Sequence, residues 1–361
     1  MRLRHRVFSA LSWRAESRAA ALPPRQGRFI RQGLGRAMEL TRAHNSLPDI
    51  THRAAILCLH GVIAHSRDPE VESEAMELHH FRRLLKLLRR SFNVISLAEL
   101  VAAIRERRSP PPRSVIITFD DGYVTNHSVV AGEMAAMRIP WSAFVPAMLI
   151  ETGGRQWTDD LYLLIHRGSQ RQIGFRWDNL MIRFDLHTPQ QRQDAVFRIR
   201  ETCRYLPEPM RVRRLQELYD QYSLDELQTL RARYADFSPM TWAQVKDLIV
   251  AGVDVGSHGL SHIALAPQDP DLVLHEVVGA RELLMQRVGP HSPHFSYPYG
   301  REASMSPVTE QLLLDMGYHC ALTLEQNAVY CQKQNLMRLP RLIVGPSVGR
   351  ILFVLWQRFI R

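Results

Sequence analysis

With 361 residues the chain is long enough for one large domain or two ordinary ones, and its 45% apolar content suits a globular protein with a sizeable core. No apolar run approaches the roughly 18 residues that a membrane-spanning helix needs, so no transmembrane helix is expected. The formal net charge of +10 favours anionic partners such as nucleic acid, phosphorylated sugars or acidic lipid head groups.

That charge is concentrated at the start. Residues 1–38 hold nine arginines against one acid, Glu16, which reads as a basic N-terminal extension over residues 1–50. It lacks the apolar core and small-residue cleavage site of a secretory signal. A solvated tail, an organellar transit peptide and a segment that lies on an anionic membrane surface all fit it. The cysteines, Cys58, Cys203, Cys320 and Cys331, are widely spread without a CxxC pair, as expected in a reducing compartment. The expected location is therefore cytoplasmic, at most peripheral to a membrane.

Beyond the arm, Ala54–Leu59 reads as a buried strand ending at His60-Gly61. Helical spacing of Phe81, Leu84, Leu85 and Leu88 predicts a helix over 78–90, and a second follows over 97–107 until Pro110-Pro111-Pro112 breaks the pattern. Val115–Phe119 is a β-branched and aromatic run too short for a typical helix, and it reads as a buried parallel strand. A helix over 129–137 and a strand over 141–145 continue the alternation, which argues for a parallel sheet. From 156 to 236 the character changes to charged helical stretches without clear strands, the mark of a helical insertion. Strand signals resume at 253–257, 294–297, 318–322 and 337–344, with helices predicted over 273–287 and 307–316. About seven strands interleaved with helices predict a distorted (β/α)7 barrel with a helical insertion. The barrel would span 51–350, the insertion 156–236, and an apolar and basic tail 351–361. The run Ile351–Trp356 could pack as a core helix or dip into an interface.

The chemistry gathers at the strand ends, as it does in α/β barrels. The strand Val115–Phe119 stops at Asp120-Asp121-Gly122. Two adjacent carboxylates repel, so a cation, a metal ion or a shared proton must offset them. The strand over 253–257 leads into His258-Gly259-Leu260-Ser261-His262, and a helical turn there would bring both imidazoles to one ion. Two histidines and one carboxylate leave a position for water on Zn²⁺ or a related divalent ion. A turn cap and a surface histidine would also produce this spacing. Phe295-Ser296-Tyr297-Pro298-Tyr299-Gly300 closes another strand end, where a rigid loop could aim the Tyr299 amide at a ligand.

Thr118-Phe119-Asp120-Asp121-Gly122, Ser257-His258-Gly259-Leu260-Ser261-His262 and Tyr297-Pro298-Tyr299-Gly300, in this order and separation, resemble the motifs of the polysaccharide deacetylase family, also called NodB homology or carbohydrate esterase family 4. The resemblance runs from about Ile56 to Val344 and takes in Trp157-Thr158-Asp159, Met240-Thr241-Trp242 and Leu339-Pro340-Arg341. It implies that Asp121, His258 and His262 hold a divalent metal, Zn²⁺ being the first choice. It makes Asp120 the general base toward a metal-bound water, and the Tyr299 amide a donor to the oxyanion.

Three positions depart from the family pattern. Ser296 stands where many members carry the arginine that orients the base, leaving Arg301 and Arg341 as candidates for that role. Leu339-Pro340-Arg341 lacks the late histidine that protonates the leaving amine, and His60 is the candidate substitute. Gly259 replaces a hydroxyl residue after the first histidine. The implied activity is metal-dependent hydrolysis of the N-acetyl group of a sugar in a polysaccharide, lipid-linked glycan or glycoconjugate. The alternative is a catalytically silent carbohydrate-binding or membrane-surface protein on the same fold. No nucleic-acid-binding module is present, so a specific nucleic-acid partner is not expected.

Overall fold

The computed structural model describes residues 52–360 apart from Glu74, Asn179 and Pro346; the basic extension expected over 1–50 lies outside them. Seven parallel strands form the barrel: β1 (Arg53–Leu59), β2 (Ser114–Phe119), β3 (Ser142–Val145), β4 (Asp254–Ser257), β5 (His294–Ser296), β6 (Cys320–Leu322) and β7 (Arg341–Ile343). Their spatial order is β7-β1-β2-β3-β4-β5-β6. A parallel bridge between Leu322 and Leu339, just ahead of β7, joins the two ends. The closure is narrow, which is the distortion. Two short strands add to the same sheet, Asn93–Val94 beside β2 and Val329–Tyr330 antiparallel to β1.

The strands are buried on both faces, as β-branched runs of a parallel sheet require. Period-two alternation divides their side chains. Ala55, Leu57, Leu59, Val115, Ile117, Phe119, Ala143 and Val145 pack with the helix Leu78–Ser91 in one core. Ala54, Ile56, Ile116, Phe144, Cys320 and Leu322 belong to another, joined by Leu97, Leu100, Val101 and Ile104 of the helix Leu97–Arg105. Along this second face β2 reads Ile116, Thr118, Asp120, so it turns polar toward its C-terminal end. That gradient puts polar side chains at the barrel mouth.

The C-terminal residues fold back as a helix, Val348–Ile360. Its Leu352, Phe353, Leu355 and Phe359 are fully buried in the core shared with β1 and the helix Leu78–Ser91, and the Phe359 and Phe92 rings sit 5.9 Å apart. Of the two fates open to this segment, packing as a core helix is the observed one.

The insertion has a core of its own, built on Leu161, Leu164, Val196, Ile199 and Leu218 from its helices. It also contains an antiparallel hairpin, Gln172–Trp177 with Leu180–Asp185, where the sequence suggested helices alone. Ile173, Phe175 and Phe184 turn inward from this hairpin, and the charges of Arg176, Arg183 and Asp185 face out.

Candidate metal centre

The chain leaves β2 through Asp120, whose backbone N–H continues the ladder to the Leu59 carbonyl at 2.9 Å. Asp121 then takes a left-handed backbone conformation, φ 75°, and Gly122 follows with φ 63°. This turn ends the strand alternation and separates the neighbouring carboxylates into different surroundings.

Asp121 faces the histidines. Its Oδ1 lies 3.5 Å from His258 Nε2 and 3.3 Å from His262 Nε2. One ligand atom from each of the three residues falls within a common 4.8 Å. His258 Nδ1 is 2.7 Å from the Ser296 carbonyl, which fixes its proton there and leaves the Nε2 lone pair directed at Asp121. His262 Nδ1 is buried without a hydrogen-bond partner among the described residues. A carboxylate and two imidazole nitrogens converging in a buried pocket are the donor set of a divalent ion such as Zn²⁺, so these residues fit the metal. Burial pushes the Asp121 carboxyl up, but the imidazoles of His258 and His262 beside it outweigh burial and hold the group well below the usual range.

The loop between the histidines is not helical, contrary to the turn expected from HxxxH. Gly259 has φ 76°, open to a residue without Cβ, and His262 itself has φ 58°. The Glu276 carboxylate accepts from the Leu260 and Ser261 amides at 3.1 and 2.9 Å. Backbone reversal and an anchoring acid therefore do what a helical turn was expected to do. Gly259 supplies a conformation that a hydroxyl residue would adopt only with strain.

Asp120 is paired with Arg341. The guanidinium donates from Nη1 to Oδ1 at 2.7 Å and from Nη2 to Oδ2 at 2.6 Å. Its other donors go to the Thr323 carbonyl at 3.1 Å, Thr118 Oγ1 at 3.2 Å and Ser296 Oγ at 2.8 Å, so all five N–H groups are used. Ser296 in turn donates to Asp120 Oδ2 at 3.2 Å. The small hydroxyl at 296 thus leaves space for an arginine from β7 and relays to the same acid. Of the two arginines considered, Arg341 is the one against Asp120; Arg301 lines the outer cleft. Burial raises the Asp120 carboxyl, yet the adjacent Arg341 charge dominates and its pKa is lowered to about 2.

Cys58, on β1, had no assigned role in the sequence and lies with its Sγ 3.5 Å from Asp120 Oδ2. Its signal was the alternation Ile56, Cys58, His60 on the strand face that turns polar. His60 lies on the cleft wall, grouped with Cys58 and Asp120.

Tyr299 packs its ring against His262, with centroids 4.9 Å apart, and its backbone is left-handed at φ 62°. Trp157 Nε1 donates to the Tyr299 hydroxyl at 2.8 Å, so the insertion braces this loop. Three residues of the centre, Asp121, His262 and Tyr299, thus hold backbone conformations that cost about 1–3 kcal/mol each. Opposite stands Asp159, which accepts from the Tyr123 hydroxyl at 3.1 Å; burial and the Asp121 charge push its carboxyl well up.

These groups open onto a cleft of about 270 Å³. Tyr123, Tyr162, Phe237 and Tyr299 give it aromatic walls, and Arg200, Arg204 and Arg301 give it an outer rim of positive charge. No helix among the described residues is long and apolar enough to cross a membrane.

A sequence model of the polysaccharide deacetylase family matches residues 213–321. This span includes His258, His262 and Tyr299 and begins well after the acid pair. No curated protein matches the chain. Among solved structures, the Streptococcus pyogenes deacetylase PplD is 15% identical, with a TM-score of 0.55 over 85% of this chain and 99% of its own. IcaB from Ammonifex degensii is 18% identical, with a TM-score of 0.54 over 84% of this chain and 97% of its own. A Bacillus cereus polysaccharide deacetylase is 11% identical, with a TM-score of 0.51 over 84% of this chain and 69% of its own. At such identities these likenesses speak for the fold. The sequence match, over less than a third of the chain, and the fold likeness over most of its length make the chain similar to polysaccharide deacetylases.

Proposed function

We propose that the chain removes the N-acetyl group of an N-acetylated sugar, in a polysaccharide, a lipid-linked glycan or a small glycoconjugate. The observation that carries this reading is the division of the adjacent acids. Asp121 points at two histidine nitrogens, while Asp120 is clamped by Arg341 and remains ionised beside them.

A divalent ion, Zn²⁺ foremost, held by Asp121, His258 and His262 would polarise the acyl oxygen and acidify water at this site. Asp120 is the general base: it takes the proton of the attacking water, and the fork of Arg341 with the Ser296 hydroxyl keeps its carboxylate from rotating away. The Tyr299 backbone amide is assigned to the oxyanion, on a loop fixed by Pro298 and braced by Trp157. His60, on the cleft wall near Asp120, is assigned to protonate the departing amine. The aromatic walls suit the apolar faces of a sugar ring.

Asp120→Asn keeps the size of the side chain and removes its basicity. Acetate release from N-acetylglucosamine oligomers should fall by about 10²- to 10⁴-fold, with zinc content unchanged. Release that persists in this variant would overturn the assignment of the base. Glycan binding by the zinc-loaded wild type without release from any acetylated substrate would point instead to a silent binder.

A further inference from the structure

The outer cleft holds more positive charge than the hydrolysis requires. Arg200 and Arg204 come from the end of the insertion helix Pro189–Cys203 and the residue after it, and Arg301 follows the Tyr299 loop from the other side. The first two share one carboxylate: Glu201 Oε1 is 3.4 Å from Arg200 Nε and 3.1 Å from Arg204 Nη1. Arg200 also donates to the Tyr162 hydroxyl at 2.7 Å.

Arg204 is only 18% exposed, and its Nε is buried without a hydrogen-bond partner. Its guanidinium sits 5.5 Å from the Tyr299 ring centroid, one side chain away from His262. The exposed Arg301 has no side-chain partner among the described residues. The acids lining the cleft are engaged elsewhere: Asp120 with Arg341, Asp121 with the histidines, Asp159 with Tyr123. Three guanidiniums therefore face the cleft, and Arg200 and Arg204 share the Glu201 carboxylate.

We propose that Arg200, Arg204 and Arg301 form an anion subsite beside the metal centre, and that the N-acetylated substrate carries a phosphoryl group that fills it. A phosphoryl group matches better than a carboxylate, because its several oxygens can accept guanidinium forks from more than one side. This rests on the deacetylase reading for the chemistry, but the subsite can be tested on its own.

The test uses the full zinc-loaded chain with three N-acetylglucosamine derivatives that differ in the group at C1: a benzyl phosphodiester, the neutral benzyl glycoside and a carboxybenzyl glycoside. The phosphodiester should have the highest kcat/KM, and its advantage should shrink as salt is raised. Arg204→Gln and Arg301→Gln should each lower the phosphodiester-to-neutral ratio by about tenfold, mainly through KM, as loss of a charge-assisted hydrogen bond predicts. Arg301→Lys should keep part of the preference, and the unchanged melting temperature of the exposed Arg301 variants would show that they fold. Equal kcat/KM for the three substrates, a ratio unmoved by both substitutions, or a preference for the carboxylate would each overturn the proposal. If none of the three is hydrolysed, the deacetylase reading falls separately. Equilibrium dialysis of N-acetylglucosamine 1-phosphate then decides: binding that is lost in the Arg204→Gln/Arg301→Gln double variant upholds the subsite, and absent or unaltered binding overturns it.

Discussion

Arg341 is fully buried, and the Asp120 carboxylate is the acid it pairs with among the described residues. Both charges of a buried pair pay desolvation, so removing only one leaves the other stranded. Arg341→Met should therefore cost about 3–5 kcal/mol of stability. Urea unfolding can measure this loss. Adding Asp120→Asn to the same chain should recover part of it, since the stranded charge is gone. A double variant as unstable as the single one would mean that packing, and not charge, dominates. The sequence offered both Arg301 and Arg341 as partners of Asp120 and could not choose. The choice depends on β7 lying beside β1 with Arg341 opposite Ile56, and Ile56 opposite Ile116 of β2. Strand adjacency of this kind has no local signature.

At the scale of elements, buried strands were legible because a parallel sheet covered on both faces leaves a continuous β-branched run. The insertion hairpin was not, because its few inward residues are interrupted by Gly174 and set within a stretch rich in helical charge patterns. Its Ile173 and Phe175 did alternate with period two. The histidine loop shows a different limit: the spacing was informative, but the geometry that joins the two imidazoles comes from Gly259 and from Glu276 on the helix that follows, Pro270–Val288. The helix Val348–Ile360 carries the clearest prediction at this scale. Burial of Leu352, Phe353, Leu355 and Phe359 is worth about 6–12 kcal/mol at 1.5–3 kcal/mol each, comparable to the whole stability of a typical domain. A chain ending at residue 347 should fail to fold, seen as loss of the cooperative melting transition in circular dichroism.

For the whole molecule, the metal and the fold are coupled, because the three proposed ligands come from two separate strand ends that only the closed barrel brings together. An ion that binds the folded chain alone stabilises it by about 4 kcal/mol when present at a thousand times its dissociation constant. Chelation should lower the melting temperature by several degrees, and added Zn²⁺ should restore it. The His262→Ala chain should show neither change. An identical melting curve with and without chelator in the wild type would count against a resident metal. At this scale the barrel, its polar mouth and the order of its motifs were readable from the sequence. The second core of the insertion and its bracing of Tyr299 through Trp157 were not, since they arise from packing between segments far apart in the chain.

The bond between Asp120 and Arg341 joins residues 221 positions apart, across more than two thirds of the described chain. During folding such a contact is among the last to form, because every intervening segment must be in place before the last strand can close the ring. Until then Asp120 is an unclamped acid next to Asp121. The proposed base is therefore completed only when the ring closes, and a half-finished chain would lack the clamp that the proposed hydrolysis needs.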